Sequence, residues 1–239
     1  VKEEKSMEIN GSVAFVTGAN RGLGLRLTEQ LLARGAAKVY GGTRRVDEVT
    51  APGVTPVHID LTDPASIEAA AAATGDVTLL INNAGNFTPT ALLDGQLEEI
   101  RAHMETHFFR TLAVTRAFAP QLTANAPAAI LNIGSILSWL HPAGVGAYAA
   151  AKAALWAQTN AIREELQPHG IAVTSLHVGY MDTDMVAAIE ADKNDPTVIA
   201  GLALDGVQTG AVEVIADALT EQVKQSLAAD RGRNPLTVS

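Results

Sequence analysis

The chain has 239 residues, 47% of them apolar and 18% charged, with a net charge of −9. That length and apolar content fit one large α/β domain with a substantial core. The lack of cysteine excludes disulfides, thiolate nucleophiles and cysteine-ligated metals; the acidic balance argues against nucleic acid or an anionic membrane as the main partner; and no apolar run reaches the roughly 18 residues of a membrane span.

The start, Val1 to Ser6, is charged and has no apolar centre, so it does not read as a secretory signal. Met7 reads as the natural first residue. Residues 1–10 are expected as an N-terminal tail and 11–239 as one domain, in the cytoplasm. Short β-branched runs then alternate with alanine-rich stretches. Strands are expected at Val13–Thr17, Lys38–Gly42, Val54–Ile59, Thr78–Asn82, Ile130–Gly134 and Val173–Val178, and helices over 22–34, 64–74, 95–125, 147–167 and 209–228. Several runs are apolar on both faces, as buried parallel strands are. The alternation implies an α/β fold on a doubly wound parallel sheet of six to seven strands, helices on both faces. Pro56 marks its strand as an edge, and the connection over 45–53 leaves room for a short helix or none.

The first strand runs into Thr17-Gly18-Ala19-Asn20-Arg21-Gly22-Leu23-Gly24. Glycines so spaced between a strand and a helix let backbone N–H groups approach a pyrophosphate, and the helix N-terminus adds a favourable partial charge. An ordinary strand-to-helix turn would use similar glycines. The second strand ends in Gly41-Gly42-Thr43-Arg44-Arg45. Near this point in a dinucleotide site an acid accepts from the ribose 2′-OH of NAD, whereas arginine accommodates the 2′-phosphate of NADP. No acid occurs before Asp47, so Thr43 and Arg44, with Arg21 converging from the glycine turn, point to NADP(H). Solvated loop arginines are the other reading of the same residues.

Tyr148 and Lys152 are four residues apart, with Ser135 thirteen residues before the tyrosine. On a helix that spacing climbs about 6 Å and returns to the same face. A cation about 5 Å from a phenol, at an effective dielectric near 20, is worth roughly 3 kcal/mol, or about two pK units. That moves the phenol towards the range useful for acid–base catalysis. The spacing is also common on ordinary helices, so it carries weight only with its surroundings.

Together these residues resemble the short-chain dehydrogenase/reductase family in its compact subgroup, over roughly residues 11–185. The motifs are Thr17-Gly18-x-x-x-Gly22-x-Gly24, Asp60, Asn82-Asn83-Ala84-Gly85, Ser135, Tyr148-x-x-x-Lys152 and Val178-Gly179-Tyr180-Met181-Asp182-Thr183, each after its own strand. The resemblance implies a Rossmann-like fold and hydride transfer with NADP(H). It implies that Gly18, Asn20, Arg21, Gly22, Leu23 and Gly24 seat the diphosphate, and that Asp60 and Leu61 flank the adenine. Asn82, Asn83, Ala84 and Gly85 would line the adenine-ribose side and brace the central strand. Gly179, Met181 and Thr183, with the backbone near Tyr180, would hold the nicotinamide carboxamide. Lys152 would hold the nicotinamide ribose and lower the pKa of Tyr148, the acid–base, while Ser135 binds the carbonyl oxygen.

The chain departs from the family pattern in four places. His107 stands where the family has a catalytic asparagine, which acts largely through its main-chain carbonyl. Val178 replaces a proline, and Gly134 the first of two serines. The ending Asn234–Ser239 lacks the usual glycines, so a full seventh strand is not expected. Phe87, Leu137, Trp139, His141, Tyr180 and Met185 are expected to edge an aromatic, apolar pocket under a mobile lid formed by residues 184–206. With no carboxylate-binding arginine there, a hydrophobic ketone, aldehyde or imine-like substrate is expected. His103 and His107 have a metal-binding spacing but no third ligand, so no metal is expected. The expectation is therefore an NADPH-dependent carbonyl reductase, as a homodimer or homotetramer packed through 95–125 and 147–167. The alternatives are a catalytically silent NADPH-binding sensor, for which His107 argues, and a lyase on the same scaffold.

Overall fold

A computed structural model of the protein describes residues 7–229. Its centre is a sheet of seven parallel strands: β1 (Val13–Thr17), β2 (Lys38–Thr43), β3 (Val54–His58), β4 (Leu79–Asn82), β5 (Ala128–Ile133), β6 (Ile171–His177) and β7 (Glu213–Ile215). Their spatial order is β3-β2-β1-β4-β5-β6-β7. Helices α1 (Gly22–Ala33), α2 (Pro64–Ala73), α3 (Leu97–Met104), α4 (Arg110–Ala124), α5 (Gly146–Leu166), α6 (Pro196–Thr209) and α7 (Ala218–Ala229) complete the layers.

Two-faced strands explain this architecture. Side chains alternate along a strand, so Ala14 and Val16 of β1 face one core with Leu79, Ile81, Leu131 and the inner faces of α1 and α6. Phe15, Leu80 and Ile130 face the other core, under Ile67 of α2, Phe118 of α4 and Ile162 of α5. β3 is the edge strand that Pro56 requires, paired on one side through Gly41↔Pro56. The second and third strands are joined through a single short turn of helix, Val46–Glu48. Among the described residues no helix is long and apolar enough to cross a membrane.

Three expectations are corrected. A seventh strand exists, short and at the other edge, where Ser175–His177 pair with Glu213–Ile215. It lies inside the stretch read as helix over 209–228; the β-branched Val212 to Ile215 run completes the sheet, and α7 starts only after Asp217. The ending at 234–239 lies outside the described residues. Much of the expected lid is the packed helix α6, capped by Asp195, which accepts from Thr197 N–H at 2.7 Å. Its Ile199, Ala200, Ala203 and Leu204 are buried against the α1 face, burial that holds a helix in place. The long helix over 95–125 is interrupted by a π-type turn, Glu105–Phe109, carrying the buried His107.

Candidate active site

Strand order reverses between β1 and β4, which opens a crevice at their C-terminal ends, where ligands enter open α/β sheets. Gly18 (φ +68°) and Gly22 (φ +54°) adopt left-handed backbone there, which glycine does without steric cost. A side-chain carbon on Gly24 would lie 2.1 Å from the Gly18 carbonyl oxygen, so only glycine lets α1 start this close to β1. Asn83 fastens the turn to β4. Its Nδ2 donates to the carbonyls of Thr17 at 2.9 Å and Gly18 at 3.2 Å. Its N–H and that of Ala84 donate to Thr17 Oγ1 at 2.9 and 3.0 Å.

Gly18, Asn20, Arg21, Gly22, Leu23, Thr43, Arg44, Asp60, Leu61, Asn83, Ala84 and Gly85 all line this one cleft. Asn20 donates to Glu48 at 2.8 Å, and Arg45 pairs with the same carboxylate at 2.7 Å. Arg21 reaches Asp184 across exposed surface at 3.7 Å. Arg44 is exposed and has no hydrogen-bond partner among the described residues. Asp60 accepts from the N–H and hydroxyl of Thr62 at 2.9 and 2.8 Å. Those bonds, helped by Arg44 and Arg110, hold its carboxyl below the usual range. Asn82 does not line the cleft: it is buried, donating to Asn132 at 2.8 Å and Thr115 at 3.1 Å, and so braces β4 against β5 and α4.

At the other end of the cleft stand Ser135, Tyr148, Lys152 and His107. Tyr148 and Lys152 lie one turn apart near the start of α5, with Lys152 Nζ 5.5 Å from the phenol ring centroid. That ammonium is buried and donates to the Ile133 carbonyl at 2.8 Å. Burial lowers its pKa to about 7. Burial also drives the Tyr148 pKa above the ordinary value, opposed by hydrogen bonding with Ser135. In the ligand-free protein desolvation therefore dominates the phenol and keeps it protonated.

His107 Nε2 donates to the Asn86 carbonyl at 2.9 Å, and His103 Nε2 to that of Thr88 at 3.0 Å. Carbonyls only accept, so both rings carry the proton on Nε2. The rings stack at 6.2 Å and meet Tyr148 edge-on at 5.0 and 5.8 Å. Phe87 meets it likewise at 5.0 Å. Burial, then the charge of Lys152, holds His107 well below its usual pKa, so it is neutral. Among the described residues no group of acidic and histidine side chains could hold a metal ion.

Beyond β6, Gly179, Met181, Thr183 and Met185 line the cleft. Gly179 N–H donates to Asp217 at 2.7 Å, and the Tyr180 carbonyl accepts twice from Asn194, at 2.8 and 3.0 Å. Two pocket expectations are corrected. The chain turns sharply over Ile136–Ser138, and Leu137 and Trp139 are buried in a satellite core with Leu140, Ala149 and Val223. Packing two large apolar side chains inward outweighs exposing them to a cleft. His141 is exposed and does not line the cleft; Tyr180 is half-buried beside it. Arg110 was missed. It lines the cleft near Asp60, its Nε buried without a hydrogen bond and 4.0 Å from Glu105. On a regular helix it reads as a solvated arginine; the π-type turn before it shifts the helix phase.

The model of the family described as short chain dehydrogenase matches residues 12–194. The 3-oxoacyl-[acyl-carrier-protein] reductase FabG of Escherichia coli (strain K12) is 32% identical over 197 residues, covering 78% of this chain and 80% of that protein. The 1-deoxy-11-beta-hydroxypentalenate dehydrogenase of Streptomyces exfoliatus is 35% identical over 202 residues, covering 78% and 74%. A short chain dehydrogenase from Burkholderia cenocepacia J2315, solved in complex with NADP, superposes with a TM-score of 0.90 at 41% identity, over 94% of this chain and 96% of that one. The family match runs from the glycine turn past the loop that follows β6, and on that ground the chain belongs to the short-chain dehydrogenase/reductase family of oxidoreductases.

Proposed function

We propose that this oxidoreductase is an NADP(H)-dependent carbonyl reductase acting on a hydrophobic ketone, aldehyde or imine-like small molecule. One observation carries the reading: Ser135, Tyr148 and Lys152 face the glycine cradle within a single cleft. The cradle fits a dinucleotide: Gly18 and Gly22 line the cleft with left-handed backbone, and Gly24 lets the N-terminus of α1 come close to that turn. Arg44, exposed just past β2 and without a hydrogen-bond partner among the described residues, fits a 2′-phosphate. The NADP bound by the Burkholderia cenocepacia relative and the oxoacyl reduction named for the Escherichia coli relative support both halves of the proposal.

When bound, the reduced nicotinamide supplies the hydride to the carbonyl carbon. Tyr148, kept protonated by burial, donates its proton to the carbonyl oxygen as negative charge gathers there. Ser135 gives that oxygen a second hydrogen bond. The Lys152 ammonium, one turn away, stabilises the phenolate left behind. The cleft's arginines, Arg21, Arg44, Arg45 and Arg110, cluster with the glycine turn, the end of β2 and Asp60, whereas Phe87, His103 and His107 surround Tyr148. That division favours an uncharged apolar substrate over a keto acid.

NADPH absorbance followed with a panel of aryl ketones tests the reading; consumption with alcohol formation is expected. Tight NADPH binding without turnover would instead favour a silent sensor, whose support is the His107 side chain packed on Tyr148. The proposed homodimer or homotetramer would pack through the helices over 95–125, which carry the half-exposed Phe109, and over 147–167; light scattering of the free protein reads its mass.

A further inference from the structure

The carbonyl of Ser135 accepts two hydrogen bonds, from Ser138 N–H at 3.0 Å and from His177 Nδ1 at 3.2 Å. A carbonyl only accepts, so Nδ1 of His177 carries the proton. Nε2 is then an acceptor, and the Ser175 hydroxyl lies 3.0 Å from it. The imidazole is wholly buried on β6. Burial, helped by the charges of Lys224 and Lys152, holds its pKa at about 4 against the pull of the Ser135 carbonyl and Glu213, so the ring is neutral across the working range. One tautomer in one orientation satisfies both partners.

The ring is clamped from outside the cleft. It stacks on Trp139 at 4.1 Å and 23°. Lys224 Nζ of α7 sits 4.0 Å over Trp139 and pairs with Glu213 of β7 at 2.7 Å. Glu213 also accepts from Trp156 Nε1 of α5 at 2.6 Å, and the two indoles meet edge-on at 6.0 Å. This chain of contacts joins the sheet edge at β7 to the backbone of Ser135. None of its side chains lines the cleft. A side-chain carbon at Gly134 would lie 2.7 Å from the Leu176 carbonyl oxygen and 3.1 Å from the His177 ring, so the backbone of β6, and then the imidazole, leaves no room for one.

We propose that His177 is a positioning residue for Ser135, holding the serine's carbonyl and thereby the turn that aims its hydroxyl into the cleft. The proposal rests on Ser135 as the donor to the substrate oxygen, but the positioning itself is readable without substrate. Ser135 Oγ accepts from Leu137 N–H at 3.1 Å, and Ser138 N–H is bonded to the Ser135 carbonyl, so these amides report the turn.

Hydrogen exchange at Leu137 and Ser138 in the ligand-free protein, together with steady-state kinetics, tests it. In His177→Phe, which keeps the stack but loses both hydrogen bonds, these amides exchange about tenfold faster, and kcat for a ketone falls about tenfold while NADPH affinity stays within about twofold. His177→Asn keeps a donor near the Nδ1 position and restores protection and most of kcat. Ser175→Ala frees the tautomer and gives an intermediate loosening; it decides the matter if His177→Phe does not fold. Unchanged exchange in the folded variants overturns the proposal, as does an equal loss in His177→Phe and His177→Asn, which would mean that packing alone matters. A wild-type protein that turns over no carbonyl defeats the reductase reading, and exchange then still decides the positioning.

Discussion

At the scale of single residues, the site sets a buried cation against a buried phenol. Removing the phenolic hydroxyl in Tyr148→Phe leaves the aromatic contacts with Phe87 and His107 possible but removes the proton donor. Turnover is expected to fall at least about 10³-fold with NADPH affinity spared; unchanged turnover refutes the acid role. Lys152 titrates near 7 in the fold and near 10.5 when exposed. Between those values the unfolded chain binds more protons, so stability rises with pH across that window. Below it the buried charge costs stability in full. Lys152→Met is therefore expected to inactivate the enzyme yet raise the melting temperature of the ligand-free protein at pH ~7 by about 3 °C or more. The gap to wild type should close as the pH approaches about 10. A melting temperature that drops at neutral pH would show that burial does not penalise this lysine. For the same reason, kcat/KM for the cofactor is expected to decline above pH about 7 as the ammonium is lost.

At the scale of elements, the loop after β6 is a part held from two sides. Asp217 accepts from Gly179 N–H at 2.7 Å and from the N–H and hydroxyl of Thr220 at 2.8 and 2.9 Å, so one carboxylate both anchors the loop and starts α7. Asp217→Ala is expected to cost about 1–2 kcal/mol of stability, as lost caps do, and to weaken NADPH several-fold; denaturant melts and fluorescence titration measure both. Loss of stability with unchanged NADPH affinity would confine Asp217 to capping α7. The same element shows where sequence reading runs out. Strands such as Leu79–Asn82 and Ala128–Ile133 were legible because both faces are apolar and the signal is local. So were the glycine turn and the Tyr148–Lys152 pair, whose meaning lies in spacing. β7 was not, because three residues beside a helix carry too little period, and their place in the sheet comes from β6. Leu137 and Trp139 were misplaced because the turn over Ile136–Ser138 sends them to α7, a contact far away in sequence. Arg110 depends on the phase of a π-type turn that no local pattern announces.

At the scale of the whole molecule, the cleft joins parts of the chain that are far apart in sequence, from the glycine turn to the loop after β6. A ligand that bridges them stabilises the entire fold by RT ln(1 + [L]/Kd), about 2.7 kcal/mol at a hundredfold excess over Kd. For a protein of this size that corresponds to a rise of roughly 5–10 °C in melting temperature. NADPH and NADH share every contact except the 2′-phosphate, so the difference between their thermal shifts isolates the end of β2. Arg44 is exposed and not hydrogen-bonded among the described residues, so Arg44→Ala is expected to leave the ligand-free melting temperature within about 1 °C. The variant should lose most of the NADPH shift, with affinity down about tenfold or more, and keep the NADH shift. Asn20 and Arg45, already bound to Glu48, cannot replace a lost guanidinium without breaking those contacts. Equal losses for both cofactors would move the 2′-phosphate away from Arg44 and leave Arg21, loosely paired with Asp184 at 3.7 Å, as the cation that meets it.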